Sequence, residues 1–317
     1  MERYNHLNTY FKQLFGERTL KICIDGNFTC PNRDGICGYG GCIFCSSKGS
    51  GELIKAAPDI SSQVTQYFES HRAKRANKFI AYFQNFTNTY DTTENLKKKY
   101  DSALIDGRIV GLDIATRPDC IDEKIAKLIS SYMPKYKVFV ELGLQTSNDY
   151  TGKLINRGYD SIKFTEAVKI LNKYNIPVIC HIMVGLPSET KLISISEELN
   201  GKIYSFNVFS SVVNTVKFIN EHNISGIKIH STYIVKNTKL NNMYENGEYT
   251  PITYDEYMQN LVYIITHISP EIIVHRISAD PPKDLLVAPE WCLHKKWVTN
   301  NIDKLLEEHN LVQGIFF

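Results

Sequence analysis

Six short apolar segments recur between residues 20 and 235, and a helical pattern separates each from the next. They read LKICIDG from Leu20, KFIAYFQNFT from Lys78, RIVGLDIATR from Arg108, KVFVELGLQT from Lys137, IPVICHIMVGLP from Ile176 and SGIKIHSTYIV from Ser225. Each is rich in Val, Ile, Phe or Tyr and nearly continuous in apolar character, as parallel strands buried on both faces are. The helical patterns span residues 62–74, 93–104, 122–132, 162–174 and 208–222. Asp122 is placed to cap the third, and Asn175-Ile176-Pro177 stops the fourth. One strand per helical crossover gives a parallel sheet with right-handed connections. Six units are too few to close an eight-stranded barrel. The expected fold is therefore α/β, a partial (βα)6 TIM-like barrel.

Polar residues collect at the C-terminal ends of these segments. They are Gln84-Asn85, Thr116-Arg117-Pro118-Asp119, Glu141 with Gln145, His181 with Gly185-Leu186-Pro187, and Lys228 with His230. In parallel α/β barrels that edge carries the active site. Any one of these residues could simply end a strand; their convergence on one rim is what argues for a site.

Two features break the rhythm. Residues 191–207 exceed what the next turn and helix need, and Asn200-Gly201 signals a hairpin, so a small β insertion is expected there. From Lys236 onward the pattern changes to a helix over 253–269, a short strand in IIVHRISADPP and a terminal helix in LHKKWVTNNIDKLLEEHN. No Gly/Ser-rich linker sets these apart, so they should pack on the barrel as a C-terminal α/β extension. The expected organisation is an N-terminal helix at 1–19, the barrel at 20–235 and the extension at 236–317. The first twenty residues carry scattered charges and no apolar leader core, and no apolar run reaches membrane-spanning length. That points to a cytoplasmic protein without a membrane partner.

Eight cysteines in a reducing compartment point to metal or redox chemistry instead of disulfides. Four of them lie in CPNRDGICGYGGCIFC, residues 30–45. Cys42 and Cys45 form a C-x2-C knuckle, and with Cys30 they make C-x11-C-x2-C. Four thiolates could close a structural zinc site. Three could hold a [4Fe-4S] cluster with one iron left open. The single knuckle favours three ligands, with Cys37 as the bystander. Cys23 and Cys180 read as core residues within strands, and Cys120 closes TRPDC on the rim. The net charge is only +2, so no global basic field exists. Basic clusters at 71–78 (HRAKRANK), 97–100 (KKKY) and 294–296 (HKK) are either solvated faces or phosphate contacts.

The blocks DGNFTCPNRDG, GGCIFCSSKGSG, AYFQNFTNTY, IATRPDC, VELGLQT, INRGYD, HIMVGLPSET and GIKIHSTYIVKNT, taken in order, resemble radical S-adenosylmethionine (SAM) enzymes. Within them they resemble the YhcC/YtqA, or MnmL-like, subgroup, a relative of the Elongator radical SAM subunit. The resemblance runs from about Tyr10 to Gly314. It implies a [4Fe-4S] cluster on Cys30, Cys42 and Cys45, with SAM chelating the open iron and yielding a 5′-deoxyadenosyl radical. It also implies that Phe44 packs near the adenine, Gln145 contacts the ribose or methionine, Arg157 pairs with the SAM carboxylate, His181 lies near the ribose and Gly185 lets the backbone approach the adenine. Gln84, Thr116 and Arg117 join the cofactor set from the rim, and Lys228, His230 and Glu141 are the expected catalytic groups. Cys37 and the insertion after Thr190 depart from the subgroup. The implied substrate is tRNA: a carboxymethylaminomethyl group at C5 of the wobble uridine would become aminomethyl, with flavodoxin or ferredoxin as electron donor. Lys228, His230, His275 and Arg276 could bind a carboxylate or phosphate, and PEWCLHKKW could stack a splayed base or simply pack the terminal helix. A radical SAM enzyme on a small molecule or protein is the alternative, and a zinc-stapled binding protein is a third reading.

Overall fold

The computed structural model describes residues 2–49, 51, 52, 54 and 57–317; Met1 of the expected N-terminal segment and Ser50 of the SSKGSG block lie outside them. The strands in chain order are β1 (Thr19–Ile24), β2 (Lys78–Phe83), β3 (Ile109–Thr116), β4 (Lys137–Gln145), β5 (Val178–Val184), β6 (Leu192–Leu199), β7 (Lys202–Phe209), β8 (Gly226–Ser231), β9 (Ile234–Val235), β10 (Ile273–Arg276) and β11 (Leu286–Ala288). The six expected strands are β1 to β5 and β8, and all lie side by side in one parallel sheet. The sheet has a seventh member. β10, from the expected C-terminal extension, pairs parallel with β8. The expected last strand also divides: Thr232 and Tyr233 interrupt it, and β9 pairs antiparallel with β11 in a separate ribbon.

The five crossover helices form close to their expected positions, at Ile60–Glu69, Thr93–Ala103, Glu123–Ser130, Ser161–Lys173 and Ser210–Asn220. Four are capped by side chains: Asp59, Thr92, Asp122 and Asp160 accept the N–H groups of Ser62, Asn95, Ile125 and Lys163. Each such cap satisfies a donor that the helix leaves orphaned. The first helix ends at Glu69, short of residue 74, and Ala73–Arg75 forms a separate 3-10 turn.

The strands are less uniform than their apolar composition suggests. On β1, Ile22 and Ile24 join the core under the helices while Lys21 and Cys23 face the interior of the curl. On β4, Val138, Val140, Leu142 and Leu144 face outward to the helices, and Glu141, Gly143 and Gln145 face inward. Cys180 is buried in the core as expected, whereas Cys23 borders an internal cavity. The period of two is therefore present inside runs that read as continuous.

One end of the curl is sealed. The N-terminal helix (Leu7–Phe15) packs against both β1 and β10, and His6 bridges to Val274. Its Phe11 inserts among Ile80, Phe139 and Ile179, with ring centroids 6.1 Å from Phe139. The helix thus covers the two unpaired sheet edges that an incomplete barrel leaves, which would otherwise be open to pairing. The insertion is the hairpin β6–β7, and Asn200 and Gly201 take the positive φ values of 53° and 74° that a type I′ turn requires. Helix Tyr254–His267 starts with a capping box between Thr253 and Glu256, and helix Lys295–Glu308 ends the fold.

Candidate active site

The cysteine loop leaves β1 at the open end of the curl and is pinned there by the segment after β4. Asn32 Nδ2 donates to Asn156 O (2.6 Å), Asn156 Nδ2 donates to Gly41 O (2.7 Å), and Ile43 N–H donates to Ile155 O (3.0 Å). Within the loop, Arg33 N–H bonds to Cys30 O (2.7 Å) and Cys45 N–H to Cys42 O (3.0 Å), closing two tight turns. The result turns Cys30, Cys42 and Cys45 to one cavity. Cys37 is exposed and does not border that cavity; its Sγ lies 3.5 Å from Arg117 Nη2 and 3.6 Å from Asp119 Oδ2.

The three thiols suit an iron–sulfur cluster. They are soft donors of the kind such clusters take. Two carry nearby N–H groups: Asn32 Nδ2 is 3.8 Å from Cys42 Sγ, and Arg117 Nη1 is 4.0 Å from Cys30 Sγ. Among the described residues, no three His, Cys, Asp or Glu side chains converge as a single metal ion would need. Thiols spread around a cluster, each on a different iron, need no such convergence.

The cavity has a volume of about 920 Å³ and reaches from the thiols into the barrel. Its floor is an ionic network. Glu141 is 1% exposed and accepts from Lys21 Nζ (3.0 Å), Tyr82 Oη (2.6 Å), His181 Nε2 (2.9 Å) and Lys228 Nζ. Lys228 also donates to Tyr82 Oη (3.0 Å), and Lys21 pairs with Asp113. Burial alone would raise the Glu141 carboxyl, but Lys21, Lys228 and His181 outweigh it and hold it well below the usual range. Burial, and then the Glu141 charge, push Asp113 up to about 7. Burial draws Lys228 down to about 8 against the pull of Glu141. One ionised carboxylate thus organises two ammonium groups, a phenol and an imidazole.

All the expected site residues border this cavity except Arg157 and Gly185. Arg157 is fully buried behind the wall and spends its N–H groups on the protein. Nη1 donates to Leu144 O (2.5 Å) and Thr146 O (2.7 Å), Nε to Tyr159 O (2.9 Å), and Nη2 to Asp149 Oδ1 (2.9 Å). These bonds brace the exit of β4, where Gln145 holds a positive φ of 60° and Tyr159 donates to its Oε1 (3.0 Å). Arg157 therefore shapes the turn that presents Gln145, and the expected ion pair with SAM has no free guanidinium to make it. Gly185 grants close approach to Ile252, where a Cβ would come within 2.8 Å, and its carbonyl accepts from Tyr249 Oη (2.6 Å). Glu141 and Lys228 also lie within their strands, below the rim where they were expected. Lys21, Tyr82 and Asp113 were not anticipated. Their signal is the charged or phenolic residue at alternate positions of an apolar strand. Of the tryptophans, Trp291 packs on Tyr254 and Tyr257 and donates to Ile252 O (3.1 Å). Trp297 is 52% exposed and stacked on His294 at 4.0 Å.

A parallel half-barrel with three thiols at its open end and a polar floor defines an enzyme fold that carries its cofactor in the curl. A family profile described as the radical SAM superfamily matches residues 34–192, and one for a radical SAM C-terminal domain matches 224–308. YtqA of Bacillus subtilis, an uncharacterised protein, is 36% identical over 320 residues, covering 100% of this chain and 93% of YtqA. The tRNA uridine(34) acetyltransferase of Dehalococcoides mccartyi is 29% identical over 178 residues, covering 55% of this chain and 34% of that protein. In structure, Elp3 of the archaeon Methanocaldococcus infernus, lacking its N-terminus, superposes with a TM-score of 0.65 at 17% identity, over 93% of this chain and 64% of that chain. The chain belongs to the radical SAM superfamily, in the subgroup of YtqA that is related to Elongator. It is a radical SAM enzyme, and its cofactors are a [4Fe-4S] cluster and SAM. No helix among the described residues is long and apolar enough to cross a membrane.

Proposed function

We propose that this enzyme acts on tRNA, converting the carboxymethylaminomethyl group at C5 of the wobble uridine to aminomethyl. The observation that carries the reading is the single cavity that joins the three thiols to the Lys228, His230 and Glu141 floor. Its volume lies at the upper end for small-ligand sites, enough for SAM and a base turned out of its stack. The kinship with a protein named for acetylation of tRNA uridine 34 supports the same substrate class. When bound, the cluster and SAM supply a 5′-deoxyadenosyl radical for hydrogen abstraction. Cys30, Cys42 and Cys45 would hold three irons, while Phe44, Gln84, Thr116, Arg117, Gln145 and His181 frame SAM. Lys228 and His230 would face the substrate, and Glu141 would hold Lys228 in place. On this reading residues 1–19 plug the barrel, 20–235 form the core and 236–317 complete it. A cytoplasmic location and a flavodoxin or ferredoxin as electron donor go with it.

The test is nucleoside profiling of tRNA from cells with and without the gene. Loss of the gene should leave carboxymethylaminomethyluridine in place of the aminomethyl product. An unchanged wobble profile would count against the reading and turn attention to a small-molecule or protein substrate.

A further inference from the structure

Arg276 borders the cavity, half-buried, and among the described residues it makes no hydrogen bond and no ion pair. Of the other cations along the wall, Arg72 lies exposed at the mouth and Arg33 donates to the carbonyls of Cys45 (3.3 Å) and Ser46; the rest are matched by acidic side chains. Lys21 and Lys228 face Asp113 and Glu141, Arg117 pairs with Asp119 (2.7 Å), and Lys295 pairs with Asp280 at 3.4 Å. Lys21 and Lys228 thus face carboxyl groups of the floor, and among the described residues Arg276 is the floor cation that faces none.

Its inward aim comes from an irregularity in β10. Val274 pairs with Ile227 and Arg276 with Lys228, so one extra residue, His275, is inserted between them. A bulge of this kind re-aims the side chains around it. Here it turns both His275 and Arg276 to the interior, where strict alternation would send one of them out. Gly226 makes the room: a Cβ there would come within 2.8 Å of the His275 ring, which packs edge-on to Phe139. Next to Arg276, on β8, lies His230. Its Nε2 is buried without a hydrogen-bond partner among the described residues, and its ring is 5.5 Å from that of His181. Burial, and then the Arg276 charge, keep His230 well below its usual range and therefore neutral.

A partly buried guanidinium with no counter-ion carries a desolvation cost that the charge of a ligand can offset. We propose that Arg276 and His230 together receive the carboxylate of the substrate at the cavity floor. The planar guanidinium fork matches a carboxylate in two-pronged geometry. The proposal rests on the wobble-uridine reading, in which the substrate ends in a carboxymethylamino group and the product lacks it. The site would then distinguish substrate from product by the group that is removed. SAM is the other source of a carboxylate. The guanidinium groups beside the thiols, however, are Arg117, 4.0 Å from Cys30 Sγ, and Arg33, whose Nη2 donates to Cys45 O at 3.3 Å. SAM held at the thiol end would place its carboxylate near those two groups and away from Arg276.

The test uses the reconstituted protein and two tRNAs, one with carboxymethylaminomethyluridine and one with aminomethyluridine at the wobble position. Binding is read by fluorescence anisotropy, and SAM affinity by equilibrium dialysis. The wild type should prefer the first tRNA by roughly ten- to a hundredfold, the range of a charge-assisted hydrogen-bond pair. Arg276→Gln should abolish the preference and Arg276→Lys should keep part of it, with SAM affinity within about twofold in both. Arg276→Gln that retains the full preference overturns the assignment. A preference left intact with SAM affinity lost means that the carboxylate is that of SAM, and also overturns it. A wild type that binds tRNA but prefers neither form overturns the carboxylate site alone; failure of the wobble reading shows separately, as an unchanged wobble nucleoside in cells without the gene.

Discussion

At the scale of single residues, the floor network decides both what was readable and what should be measured. Glu141 accepts from four groups on four other strands, so no local pattern around it reveals the arrangement. Its neighbours in sequence are Val140 and Leu142, and a lone carboxylate there reads as the polar end of a strand. That Cys30, Cys42 and Cys45 face one cavity was legible because their spacing is local and their chemistry is restrictive. The role of Arg157 was not: a matching block shows which residue is present, not whether it turns to a ligand or to the backbone carbonyls behind it. Asp113 supplies the sharpest residue-scale test. In the folded protein burial and Glu141 raise it to about 7, against an ordinary value of 3.8. Between those values the folded state holds a proton that the unfolded chain has released. Stability should therefore fall as pH rises through that window. Asp113→Asn has no such proton. Its unfolding free energy, from urea titrations, should lose this slope by up to about 1.4 kcal/mol per pH unit relative to wild type. Parallel pH profiles for the two proteins would mean that Asp113 is ionised throughout.

At the scale of elements, the crossover helices and six strands were legible for two separate reasons. Capping residues sit next to the helices they start, as Asp122 does, and strand runs are short and apolar. The seventh strand was read as a strand but not placed in the sheet. Ile273–Arg276 reaches its partner β8 only after β9, β11's partner, and the helix Tyr254–His267 have intervened, and nothing local encodes that pairing. The N-terminal helix was likewise expected as a helix but not as a plug. Its apolar stripe has meaning only once β1 and β10 stand at opposite edges of an open curl. Phe11 is 2% exposed and fills the space between Ile80, Phe139 and Ile179. Truncation leaves a cavity under the ionic floor that the rigid strands cannot close. Phe11→Ala should therefore cost about 3–5 kcal/mol of unfolding free energy, the range for buried phenylalanines. Exposed Leu14 on the same helix is the control, and its alanine variant should change stability by about 0.5 kcal/mol or less, as surface substitutions do. Equal effects would mean that the helix adds bulk without plugging the barrel.

At the scale of the whole molecule, the question is how a protein of net charge +2 would hold a polyanion. The charge must be local. Of the three basic clusters, KKKY lies away from the main cavity: Lys97 pairs with Asp101 and Lys99 with Asp91. The other two reach the mouth. Arg72 and Lys295 both border the cavity, and Lys74, Arg75 and Lys296 are exposed beside them. The stacked pair His294–Trp297 lies on the same stretch as Lys295, which suits an unpaired base next to its phosphates. Five basic groups meeting a single-stranded loop release a modest number of counterions. The logarithm of tRNA affinity should then fall with the logarithm of salt at a slope of roughly −3.5, far shallower than for proteins with a global basic face. Neutralising Arg72 or Lys295 with glutamine should each reduce the slope by roughly 0.7, whereas Lys97→Gln should leave it unchanged. Anisotropy titrations over a salt series read all four proteins directly. A slope that responds to Lys97 but not to Arg72 and Lys295 would place the RNA on the far side of the barrel, away from the cavity mouth.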